Sequence, residues 1–238
     1  MLALAAWVVF ATAAGGAVDG TPGGRIAVGV SDGVRTLAPD ATRSRLVIPG
    51  AAFPAWSADG RWLAYTRDHA PPSAGGTTPH SAIWRARADG SGKRLVVFLA
   101  QRRATEPSWS PDGRRLAFTA EYEVFRDGYP EQRFAIYVAR RDGTQIRKLR
   151  LGSSPTWSPD GRLIAFSSSG GAEIIRPDGT GFRPLPQGRG AWLMEFAPDR
   201  PRLAFWLGEQ RGPSARWIYG PIGGGGFRPP PSVVFRST

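Results

Sequence analysis

One phrase recurs along this chain and constrains its fold more than any other feature. Pro107-Ser108-Trp109-Ser110-Pro111-Asp112-Gly113-Arg114 and Pro155-Thr156-Trp157-Ser158-Pro159-Asp160-Gly161-Arg162 carry it intact. Pro54-Ala55-Trp56-Ser57-Ala58-Asp59-Gly60-Arg61 has Ala58 in place of the second proline, and Glu195-Phe196-Ala197-Pro198-Asp199-Arg200 is a worn fourth copy. Each copy runs into a short apolar segment: Leu63-Ala64-Tyr65, Leu116-Ala117-Phe118, Ile164-Ala165-Phe166 and Leu203-Ala204-Phe205. A unit this small cannot bury its own apolar face and must stack on its neighbours. Such self-similarity restricts the chain to a repeat array or a propeller.

Within each unit the turn chemistry predicts antiparallel strands. In Ser-Pro-Asp-Gly, proline pre-sets the backbone, Ser and Asp bond nearby amides, and Gly takes the left-handed position. A strand precedes this turn and another follows. After a variable loop come third strands such as Ala82-Ile83-Trp84-Arg85-Ala86, Ala135-Ile136-Tyr137-Val138-Ala139 and Ala172-Glu173-Ile174-Ile175. Second turns at Asp89-Gly90, Asp142-Gly143 and Asp178-Gly179 lead into fourth strands, and Asp-Gly between apolar runs is a hairpin signal. The expected fold is all-β, a β-propeller of four-stranded antiparallel blades. The intervals Trp56 to Trp109, Trp109 to Trp157 and Trp157 to Phe196 are 53, 48 and 39 residues. Blades of this kind take about 40–45 residues, so the first two carry insertions. Five blades are expected, with a truncated relative of a six-bladed ring as the alternative. The N-terminal blade (Arg25 to Ile48) lacks a first strand in this reading, and Val233-Val234-Phe235 is expected to supply it and close the ring.

These units resemble the WD40-like repeats of the TolB-type β-propeller family. The resemblance rests on Pro-x-Trp-Ser-Pro-Asp-Gly-Arg-x-Leu/Ile-Ala-Phe with its downstream Asp-Gly turn, over roughly residues 25 to 235. The Gly-His and terminal Trp-Asp of true WD40 blades are not found. The resemblance implies an exported platform that binds a protein or a ligand. Similar repeats form the non-catalytic propellers of prolyl-oligopeptidase-like peptidases, and a similar fold carries some polysaccharide lyases. The motif residues are turn and core residues, so they speak to fold rather than function.

Composition narrows the chemistry. The 238 residues include 31 Gly and 22 Pro, yet 41% are hydrophobic and nine are Trp, which is enough for a packed core. With no Cys, disulfides, thiolate metal sites and cysteine nucleophiles are excluded. The formal charge is +12, but Lys93 and Lys148 are the only lysines and there is no Asn. That bias reads as codon pressure placing Arg at ordinary solvated positions. A basic field still favours anionic partners, and an acidic glycan is one candidate. No nucleic-acid-binding motif gathers the arginines, so nucleic acid is not the expected partner. Leu2 to Ala14 is an apolar run of signal-peptide length, with small residues after it and no preceding Lys or Arg. Residues 1–20 are therefore read as a signal peptide or N-terminal anchor and residues 21–238 as the propeller. The expected location is extracytoplasmic (periplasmic, cell-envelope or secreted), with membrane contact only through an uncleaved N-terminus.

Both large insertions, Arg67 to Ser81 and Glu121 to Phe134, join second to third strands and so emerge on one rim. They lie beside the blade-to-blade connections, opposite the Asp-Gly turns. Binding residues concentrate on long loops held by a rigid scaffold. The candidate ligand- or partner-binding residues are Arg102, Arg103, Glu106, Glu123, Arg126 and Tyr129. No catalytic residue, no metal ligand and no cofactor is assigned. Asp68, His69 and His80 could form a metal set, but they flank a Pro- and Gly-rich stretch and show no fourth ligand. Asp59, Asp112, Asp160 and Asp199 sit one per turn and read as turn formers. The expected function is a non-catalytic propeller recognising a protein or cell-envelope component. The alternatives are a lyase or hydrolase acting on a glycan, or the stand-alone remnant of a prolyl-oligopeptidase-type propeller.

Overall fold

The computed structural model describes residues 11–12, 24–38, 43–69, 80–100, 102–188, 191–196, 202–207 and 216–221. Among the described residues, five antiparallel sheets follow one another along the chain. The first contains β1 (Ala11–Thr12), β2 (Ile26–Val30), β3 (Gly33–Leu37) and β4 (Ser44–Pro49). The second contains β5 (Ala51–Trp56), β6 (Trp62–His69), β7 (His80–Arg87) and β8 (Arg94–Val97). The third contains β9 (Arg103–Trp109), β10 (Arg115–Arg126), β11 (Tyr129–Arg140) and β12 (Arg147–Leu151), and the fourth β13 (Ser153–Trp157), β14 (Ile164–Ser168), β15 (Gly171–Ile175) and β16 (Arg183–Pro184). In the fifth are β17 (Ala191–Phe196), β18 (Arg202–Leu207) and β19 (Arg216–Pro221). Among the described residues the only helix is the 3₁₀ turn Pro186–Gly188. No helix among them is long and apolar enough to cross a membrane.

Each repeat phrase builds the same corner. Ser110 Oγ donates to Asp112 Oδ1 at 2.6 Å and accepts from the Arg115 amide at 2.9 Å, while Asp112 Oδ1 also accepts from the Arg114 amide at 3.0 Å. Ser57 with Asp59 and Ser158 with Asp160 repeat the arrangement. These aspartates are turn caps, as their one-per-turn spacing implies. Asp199 lies outside the described residues.

The core lies between sheets rather than within them, because each sheet has two apolar faces and shares one with each neighbour. One cluster joins Val34, Val47 and Ile48 to Trp56, Leu63 and Tyr65; a second joins Ile83, Val96 and Val97 to Trp109, Leu116 and Phe118. The third joins Ile136 and Val138 to Trp157, Ile164 and Phe166, and the fourth Ala165 and Ile174 to Met194, Phe196 and Leu203. Strand alternation explains the division: Leu63 and Tyr65 face one neighbour, Ala64 and Ile83 the other. Trp109 reaches across the gap, its Nε1 donating to the Ala55 carbonyl at 3.2 Å.

The apolar N-terminal run enters the fold in an unexpected place. Ala11–Thr12 pairs with Ile26 and Ala27 and takes the first-strand position of the first sheet. That is the position the sequence reading gave to Val233-Val234-Phe235, which lie outside the described residues. Sheet order fixes the second-to-third loops on one rim. β6 and β7 extend through the pair His69–His80, and β10 and β11 through Arg126–Tyr129, both on that rim.

Candidate functional site

The second insertion is an uninterrupted β-ribbon. β10 and β11 stay in register over twelve residue pairs, well beyond the sheet they start from. At the tip, Asp127 and Gly128 both have positive φ (52° and 83°), the two-residue turn whose twist matches that of the flanking strands. Alternation puts Tyr122, Val124, Arg126, Tyr129, Glu131 and Arg133 on one face and Glu121, Glu123, Phe125 and Phe134 on the other. Phe125 is 75% exposed and Tyr129 77% exposed, so the tip presents an aromatic ring on each face.

The six candidate residues divide between the base and the ribbon. Arg102 stacks over the Tyr122 ring at 4.7 Å and donates to the Tyr137 hydroxyl. Lys148 Nζ donates to the Tyr122 hydroxyl at 3.2 Å from beneath the ribbon. Arg103 donates through Nε to Ser81 Oγ at 3.4 Å, and its Nη1 lies 3.5 Å from Glu121 Oε1. These contacts tie the base of the ribbon to the second sheet. Glu123, Arg126 and Tyr129 project along its exposed length. Arg126 and Tyr129 are a directly opposed pair.

Glu106 sits at a strained point of β9, the first strand of its sheet. Phe53, Glu106 and Ser154 have φ of 47°, 53° and 54°, each directly before the proline of its repeat phrase. Each falls where its strand shifts register. A non-glycine residue in the left-handed region costs about 1–3 kcal/mol and persists only where its surroundings hold it. Glu106 is held well. Its Oε2 accepts from Thr119 Oγ1 at 2.7 Å and the Ser154 amide at 2.9 Å, and its Oε1 accepts from Ser154 Oγ at 3.2 Å. The carboxylate bonds the third sheet to the fourth. One position before the repeat aromatic, Thr156 Oγ1 donates to Glu195 Oε1 at 3.4 Å. Glu195 is reached by water but stands amid dense protein, and that crowding pushes its carboxyl up to about 7, against the pull of the Thr156 bond.

The histidines of the first insertion are engaged elsewhere. His69 and His80 oppose each other across the ladder and pack edge-on against Phe98, with ring centroids at 5.1 and 6.3 Å. Asp68 lies on the opposite face and accepts from Ser81 Oγ at 3.0 Å. Among the described residues no three His, Asp or Glu side chains gather as a metal set.

Sequence reasoning missed a cleft of ≈ 780 Å³ between the third and fourth sheets, on the insertion rim. Gln132, Arg133 and Phe134 at the base of the ribbon form one wall; Arg150, Ser167 and Glu173 contribute to the rest. A signal was present. Ladder register aligns Glu173 with Trp84 and Tyr137, since Tyr65 pairs with Trp84, Phe118 with Tyr137 and Phe166 with Glu173. A carboxylate stands where two sister blades carry an aromatic ring.

No family model matches the sequence. The uncharacterized peptidase YuxL of Bacillus subtilis (strain 168) is 33% identical over 96 residues, which is 40% of this chain. The matched stretch spans 13% of that curated relative. Among solved structures, a TolB-type protein of Agrobacterium tumefaciens superposes with a TM-score of 0.63 at 21% identity, covering 87% of this chain and 76% of that one. A chain of the nidogen/laminin complex superposes at 0.58 with 15% identity, covering 82% and 70%. Strand order, repeat corners, inter-sheet cores and these superpositions agree: the chain has the fold of a TolB-like β-propeller.

Proposed function

We propose that this protein is an exported, non-catalytic binding platform whose insertion rim docks a protein component of the cell envelope. The observation that carries the reading is the β10–β11 ribbon, a continuously paired arm ending in two aromatic rings, Phe125 and Tyr129, that stand largely exposed. Exposed aromatics interleaved with arginine are the residues that dominate protein–protein contacts. Tyr129, Arg126 and Glu123 are the proposed contact residues, with Phe125 added on the opposite face. Arg102 and Arg103 contact the base of the arm, and Glu106 bonds the sheet that carries it to the next sheet. The likeness to a nidogen/laminin complex, a propeller solved with a protein partner, supports the same kind of role. The net charge of +12 favours an acidic partner surface. Residues 1–20 are proposed to direct export.

The test is cross-linked recovery from the envelope fraction of the native host. The full chain is compared with a Phe125→Ser, Arg126→Ala, Tyr129→Ala variant. A specific partner should be recovered at least tenfold less with the variant, at an unchanged melting temperature, because a central aromatic anchor contributes about 2 kcal/mol or more. Equal recovery by both proteins would remove the ribbon from the proposal. The mature N-terminus, read from the same sample, tests export.

A further inference from the structure

We propose that the cleft between the third and fourth sheets is a saccharide-binding site, with Glu173 and Arg150 as the groups that hold ring hydroxyls. This inference is independent of the role given to the ribbon tip. Glu173 is 9% exposed, and its Oε2 is buried without a hydrogen-bond partner. Among the described residues its nearest cation is Arg150, with Nε at 3.7 Å, too far for a hydrogen bond. Arg150 is kept from closing that gap by its stacking on the Phe182 ring at 3.5 Å. Ser167, 6% exposed, lines the same cleft with an Oγ that also lacks a partner. Buried polar atoms without partners are costly, and a native fold keeps them where something else satisfies them.

The arrangement narrows the ligand. An ammonium would suit Glu173 but be repelled by Arg150, and a lone carboxylate would suit Arg150 but meet Glu173. A hydroxyl both donates and accepts, so one hydroxyl can donate to the part of the Glu173 carboxylate that lines the cleft while its neighbour accepts from Arg150. Vicinal hydroxyls on a pyranose ring present that pairing. Phe134, partly exposed and lining the cleft, offers apolar surface for the C–H face of the ring. The volume of ≈ 780 Å³ lies within the roughly 300–1,000 Å³ typical of small-molecule sites. The space exists because a short carboxylate stands where Trp84 and Tyr137 fill the sister blades.

The experiment combines binding with stability. Chitohexaose, maltohexaose and hexagalacturonate are titrated calorimetrically into the full chain and into Glu173→Gln and Glu173→Tyr variants. At least one hexasaccharide should bind saturably. Glu173→Gln should weaken it tenfold or more, and Glu173→Tyr, which refills the cleft as in the sister blades, should abolish it. The hexagalacturonate arm separates uronate recognition from that of neutral hydroxyls. Both variants should melt at or above the temperature of the parent. If none of the three binds, or if binding survives Glu173→Tyr, the proposal is overturned. A Glu173→Gln variant that melts several degrees lower would also overturn it, since Glu173 would then be one half of a structural ion pair with Arg150.

Discussion

Gly143→Ala gives the sharpest measure of how closely the blades approach. Gly143 has φ of +86°, and a Cβ built there would lie 2.0 Å from the Val96 carbonyl oxygen of the preceding sheet. That oxygen is backbone and cannot swing aside, so the two sheets must separate. Gly113 provides the control: its φ is +65°, and nothing lies within 4 Å of its Cβ position. Gly113→Ala carries only the left-handed conformational cost of about 1–2 kcal/mol. Gly143→Ala adds an overpacking cost of about 1–3 kcal/mol, for a total of roughly 2–5 kcal/mol. In a domain of this size each kcal/mol lowers the melting temperature by about 2–4 °C. Thermal melts followed by circular dichroism should therefore show Gly143→Ala losing about twice as much as Gly113→Ala, with urea midpoints in the same order. Gly90, whose Cβ position is 2.4 Å from the Val47 oxygen, should behave like Gly143. Gly179 meets the Arg147 guanidinium at 3.6 Å and the Leu149 side chain at 3.9 Å, both at ordinary contact distance, and should behave like Gly113. Equal losses at Gly143 and Gly113 would refute the reasoning, because close sheet approach would then not be what Gly143 permits.

The Tyr65 hydroxyl is fully buried without a partner, and burial pushes its ionisation up to about 12. Its sister positions are Phe118 and Phe166, so Tyr65→Phe should leave the melting temperature unchanged or raise it by up to ~5 °C; a clear loss in a melt would show an unseen partner. Stability should also fall at both ends of the pH scale. The carboxyls of Asp160 and Asp178 are held low by the Ser158 and Thr180 hydroxyls and neighbouring amides, so their contribution is present above the unfolded value near 4 and lost as acid takes the pH below it. Glu195 acts in the opposite sense: crowding raises its carboxyl, so its contribution is greatest below its unfolded value and is lost as pH rises through about 7. Water access screens that effect, so its direction is the expectation. Urea midpoints from pH 3 to 9 check both, and Glu195→Gln should remove the fall above neutrality while leaving the acid limb intact.

The sequence determined the fold because its information is local and repeated. Ser110, Asp112 and Gly113 close a corner through bonds within five residues of one another, and three copies at blade spacing leave few ways to bury Trp109 and its equivalents. It also showed that the long insertions share a rim, since that follows from antiparallel alternation alone. Tertiary structure decided what local patterns do not encode. Asp89-Gly90, Asp142-Gly143 and Asp178-Gly179 look alike, yet only the first two have a neighbouring carbonyl against the glycine. Asp127-Gly128 is the same dipeptide in a different turn, both residues left-handed, because it ends a two-residue hairpin. Glu106 is a candidate binding residue by sequence, and the structure adds that its carboxylate bonds the third sheet to the fourth. Glu173 stood in plain view within an apolar strand. Its significance required the ladder register that aligns it with Trp84 and Tyr137, the adjoining sheet that brings Arg150 to 3.7 Å, and the empty space between them.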